Sequence, residues 1–141
     1  SLHSDFQVNT RIEFSFTQIA SDLGEKIDPA LKNIMGSWRA DVAIYENEKP
    51  TGIIEIKIYD EGCHPHKILH DLEKMREISK RKIVETYLAV LITPTSRESS
   101  EERIKKLTGL LGGSFDYIDS PIIAGGGTSN WSWQFACGSF T

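Results

Sequence analysis

The chain has 141 residues, of which 39% are apolar and 26% charged, with a formal net charge of −4. That length fits a single domain over residues 1–141, and no apolar run is long enough to span a bilayer, so a membrane partner is not expected. The two cysteines, Cys63 and Cys137, exclude a disulfide framework, and with no signal-peptide pattern at the start the expected setting is a reducing cytoplasm.

Residues 10 to 27 carry Ile12, Phe16, Ile19, Ala20, Leu23 and Ile27 at helical spacing, with Thr10 and Glu13 matching a capping box. The alternation of Ile12, Phe14 and Phe16 competes as a strand. Asp28-Pro29 reads as the cap and first position of a short helix that Gly36 stops. Residues 38 to 46 and 52 to 59 are rich in β-branched and aromatic residues and form a hairpin across "NEKPT", a loop longer than the tight two-residue type. Pro65 opens a helix over residues 65 to 80 whose apolar face is Ile68, Leu69, Leu72, Met75 and Ile78. Residues 83 to 94, "IVETYLAVLITP", read as a buried central strand. Ser99 and Glu102 then cap a helix running to Gly112-Gly113, and a strand near residues 115 to 124, the loop "GGGTSN" and a final strand "WSWQFAC" complete the chain. The expected fold class is therefore α/β, with a hairpin at the centre of the sheet.

The hairpin carries charge in a dry setting. In "RADVAIYENEKPTGIIEIK", alternation puts Glu55 and Lys57 on one face of their strand, with Ile54, Ile56 and Ile58 packing into the core on the other. A turn centred near residue 48 sets Asp41 directly across from Glu55, with β-carbons roughly 4.5–5.5 Å apart. Two carboxylates that close repel unless a cation separates them. Two acids with the Ile56 backbone carbonyl form an oxygen set suited to a hard cation such as Mg²⁺ or Mn²⁺. A coordinated water of lowered pKa attacks phosphodiesters, and Lys57 can stabilise the developing charge.

"RADVAI" followed by "GIIEIK" resembles the signature of the PD-(D/E)xK superfamily, the restriction-endonuclease-like nucleases: an aspartate on one strand, Glu-x-Lys on its neighbour, then a helix and a strand. The resemblance spans residues 10 to 94. It implies a three-layer core, a mixed sheet with the hairpin at its centre flanked by helices, and metal-dependent hydrolysis of DNA, with RNA as the other substrate. Asp41, Glu55 and Lys57 take the catalytic roles, with Asp41, Glu55 and the Ile56 carbonyl on the metal. Many members add an acid from the first helix, for which Glu13 is the candidate. Members also work as homodimers or within larger complexes. Ala40 stands where the family has proline, and the Gln-x-x-x-Tyr motif of the exonuclease branches is absent from the following helix. A catalytically inactive module binding nucleic acid or protein is the alternative, and the net acidity favours it.

Other features compete. "CHPHKILH" groups Cys63, His64, His66 and His70 densely enough to consider zinc, yet His66 and His70 project away from Leu72 and Met75, toward water. Lys74, Arg76, Lys80, Arg81 and Lys82, and a smaller group of Arg103, Lys105 and Lys106, read as solvated helix ends or as a phosphate-facing rim. No lysine or helix follows "AGGGTSN", so it is a turn rather than a phosphate loop. Trp131 and Trp133 share one face of the last strand and read as packing rather than base stacking.

Overall fold

The structure, a computed structural model, describes residues 7–24, 29–81, 83–120, 122–124 and 131–139. Its strands are β1 (Val8–Ser15), β2 (Arg39–Glu46), β3 (Lys49–Tyr59), β4 (Glu85–Ile92), β5 (Tyr117–Ile118), β6 (Ile122–Ala124) and β7 (Trp131–Gly138). Its helices are α1 (Phe16–Asp22), α2 (Pro29–Met35), α3 (Pro65–Lys80) and α4 (Ser100–Leu111). The sheet runs β1-β2-β3-β4-β7-β5, with β6 paired to β7. It is mixed: β3 and β4 are parallel and the other neighbours antiparallel. A parallel pair needs a crossover, and α3 supplies it. The α/β expectation is met. Asp28 and the "GGGTSN" loop lie outside the described residues.

Residues 10 to 15 are strand, not the first turns of a long helix. Glu13 interrupts that strand with a φ of 48°, and Ser15, rather than Thr10, precedes α1. Alternation over Ile12 and Phe14 therefore outweighs the helical spacing at this end, because β2 offers a ladder partner from Val8 to Ser15. The hairpin turn is also tighter than expected. Asn47 and Glu48 both adopt positive φ, 49° and 66°, as a two-residue primed turn requires. Pairing then runs Glu46–Lys49 and Tyr45–Pro50 before resuming at Ile44–Gly52, so Thr51 is a bulge, its hydroxyl 3.4 Å from the Ile44 carbonyl oxygen.

One face of the sheet carries the core. Phe16 and Ile19 of α1 pack with Ala43, Tyr45 and Ile53, while Ile68, Leu72 and Met75 of α3 and Ile104 and Leu107 of α4 pack on Tyr59, Leu88, Val90 and Ile92. This is the face of Glu55 and Lys57, flanked along β3 by Ile53 and Tyr59. The assignment of Ile54, Ile56 and Ile58 to the core is thus reversed: Ile56 is 49% and Ile58 57% exposed.

Helix α4 ends as its sequence dictates. The Ser99 hydroxyl accepts from the Glu102 amide at 3.2 Å, and Gly112 closes the helix at φ 70°, where a side chain would be strained. The Arg76 guanidinium from α3 donates to the Leu111 carbonyl, tying the two helices together.

Candidate active site

The β2–β3 ladder closes at Val42–Ile54, and one further step of the register places Asp41 across from Glu55. There the Asp41 side chain replaces the backbone as acceptor: its Oδ2 takes the Ile56 N–H at 2.7 Å. Asp41 and Glu55 thus lie near each other on the helix-covered side of the sheet, close enough for the Asp41 charge to act on Glu55.

Glu55 is 2% exposed, and its Oε1 is buried with no hydrogen-bond partner. Its Oε2 lies 3.5 Å from Lys57 Nζ. Burial first, then the Asp41 charge, pushes the Glu55 carboxyl up to about 7, with Lys57 acting in the opposite direction. Lys57 is itself held 2.5 Å from Asp71 Oδ2, and Lys74 lies 3.8 Å from the other Asp71 oxygen. Burial lowers the Lys57 pKa, but the Asp71 hydrogen bond and the surrounding carboxylates outweigh it, leaving the ammonium above its ordinary value. Asp71 went unnoticed in the sequence. A signal existed, because Asp71 follows Ile68 by three positions and precedes Met75 by four, which sets it on the inward face of α3.

An isolated buried carboxylate oxygen is costly, and an oxygen-seeking cation is one partner that would satisfy it. Asp41, Glu55 and the Ile56 carbonyl fit a hard divalent ion by chemistry. Among the described residues, however, no group of three or more His, Cys, Asp or Glu side chains is placed to hold a metal, so water would have to complete the shell. Glu13 falls beside Asp41 in the β1–β2 register, between the Ile12–Val42 and Phe14–Ala40 pairs. It is exposed, and the charges acting on Glu55 are Asp41, Lys57 and Asp71 rather than Glu13.

The rival features do not converge on this site. His66 and His70 are exposed, and His66 stacks on His64 with ring centroids 4.9 Å apart. Cys63 is a free thiol. Trp133 is half-buried, and the Trp131 side chain lies outside the described residues. Part of the basic cluster on α3 is consumed locally, Lys74 on Asp71 and Lys80 on Glu77 at 2.8 Å. No family model, curated protein or solved structure matches the chain.

Proposed function

We propose that this protein hydrolyses phosphodiester bonds in DNA in a reaction that requires Mg²⁺ or Mn²⁺, on a restriction-endonuclease-like core. The observation that carries the reading is Glu55: a carboxylate 2% exposed, with one oxygen lacking any partner, beside a second acid and an ammonium on neighbouring strands. Burying such a group costs several kcal/mol, and groups kept at that cost concentrate at functional sites. Asp41, Glu55 and the Ile56 carbonyl would hold the cation, which when bound supplies positive charge and a water of lowered pKa. Lys57 remains protonated and presents N–H donors toward charge developing on a phosphate oxygen. Asp71 limits the Lys57 side chain to one orientation.

The test is cleavage of linear and supercoiled DNA with either metal. The parent is expected to cut, and Asp41→Asn and Glu55→Gln to lose cutting while keeping the parent's circular dichroism. Inert parent protein with both metals, or variants that cut like the parent, would remove the proposal. A second reading is the same fold used as a binding module without turnover. The Lys57–Asp71 pair favours it, since Lys57 is already engaged by a carboxylate at 2.5 Å. Calorimetric titration separates the two: millimolar Mg²⁺ or Mn²⁺ binding that Asp41→Asn abolishes belongs to the enzyme, and absence of binding to the module.

A further inference from the structure

Arg103 of α4 is 4% exposed, which is rare for a guanidinium. Its Nη2 donates to the Asp60 carbonyl at 2.7 Å and its charge lies 3.9 Å from the Tyr59 ring centroid. Among the described residues no carboxylate pairs with it, and its Nε is buried without a partner. The arginine therefore keeps a charge without a carboxylate partner while lining a cavity of about 470 Å³, between the end of β3 and the starts of α3 and α4. Arg97 and Lys106 line the same cavity. The opposing carboxylates are Glu61 and Glu98, and Lys106 holds Glu98 at 3.6 Å, which leaves a cationic excess around Arg103.

We propose that this cavity binds a phosphate group, with Arg103 as the buried anchor and Arg97 and Lys106 as the outer contacts. A planar guanidinium already fixed by a ring and a carbonyl loses little side-chain entropy on binding phosphate. The phosphate comes either from a nucleic-acid backbone or from solution. Tyr59 lies on the same face of β3 as Glu55, four residues further on, or about 13 Å at strand rise. A backbone phosphate in the cavity would then lie a few nucleotides from the one at the acids, and would set the register of the strand. That use rests on the nuclease reading; the cavity's affinity for phosphate does not.

The experiment follows the Arg103 Nε–H resonance and the amides of residues 95 to 98 in ¹⁵N-labelled protein titrated with inorganic phosphate at constant ionic strength. In parallel, a labelled single-stranded oligonucleotide is titrated in EDTA, which excludes cleavage. A saturable shift in the parent, lost in an Arg97→Ala/Lys106→Ala variant, is expected. Both substituted side chains are on the surface, so the fold does not depend on them. The same variant should bind the oligonucleotide about tenfold more weakly, with a shallower salt slope. If phosphate shifts the resonances but oligonucleotide affinity is unchanged, the site stands and its ligand is free phosphate. Lack of any saturable shift overturns the proposal, whatever the oligonucleotide does. Hydrolysis is decided separately by Asp41→Asn and Glu55→Gln, so a parent that binds through the cavity yet never cuts would refute only the nuclease reading.

Discussion

The two faces of β3 divide their residues the wrong way round. On the side covered by helices stand Ile53, Glu55, Lys57 and Tyr59; on the open side stand Ile54, Ile56 and Ile58, the last two about half exposed. The neighbouring Tyr45 hydroxyl, by contrast, is matched: it donates to Asp22 at 2.8 Å, and burial together with that bond lifts the phenol to about 12. Glu55 lacks such a match at Oε1. A strand that points its aliphatics outward and a carboxylate inward gives up burial on both sides, and the difference teaches that packing alone does not account for Glu55.

The sharpest way to break the comparison is Asp41→Ala or Glu55→Ala, each expected to lower the DNA cleavage rate by at least about 10³-fold, or about 4 kcal/mol of activation free energy, without loss of secondary structure. Gel-based rates with matched circular dichroism decide it. Next, truncating inward Ile53 to Ala should cost about 2–5 kcal/mol of unfolding free energy in urea.

Glu55→Gln should stabilise the metal-free protein, by up to about 3 kcal/mol at pH 8. The sign follows from the raised pKa. Between about 4.5 and about 7 the folded chain holds a proton that the unfolded chain has released, so stability is greatest below this window and declines as pH rises through it. Thermal melts across pH 4 to 8 should show that decline in the parent and its removal in the variant; an identical slope in both would contradict the assignment. Tyr45→Phe is expected to cost about 1 kcal/mol, the worth of its bond to Asp22. Smallest is Ile58→Thr on the open side, within about 0.5 kcal/mol of the parent in the same urea assay. A loss like that of Ile53→Ala would mean the outer face is not free.

Much of this was legible in the residues. Helix α3 spans Pro65–Lys80, the range its apolar spacing and opening proline define, and Ser99 and Gly112 bound α4 as their cap chemistry requires. The meeting of Asp41 and Glu55 was legible as well, by a compensation: a turn one half-step tighter than assumed is offset by the Thr51 bulge. The faces of β3 were not. Alternation reveals which residues share a side but not which side the helices cover, and isoleucine density is a poor guide when the covered side holds a buried acid. Asp71 was missed because its partner, Lys57, lies on another element, although its place on the inward face of α3 could be counted. The strand at Val8–Ser15 was obscured by Glu13, whose positive φ interrupts a ladder that sequence spacing cannot show.

The extra residue at Thr51 separates the turn from the acids, like slack taken up between two gears. Were β3 to pair regularly from Asn47-Glu48 onward with Thr51 in place, Asp41 would meet Ile54, and Glu55 would look out through the isoleucine layer. Removing Thr51 should therefore leave the carboxylates facing one another, whereas inserting a single residue between Gly52 and Glu55 should separate them. Shortening at Thr51 is thus expected to preserve the register that lengthening between Gly52 and Glu55 would destroy.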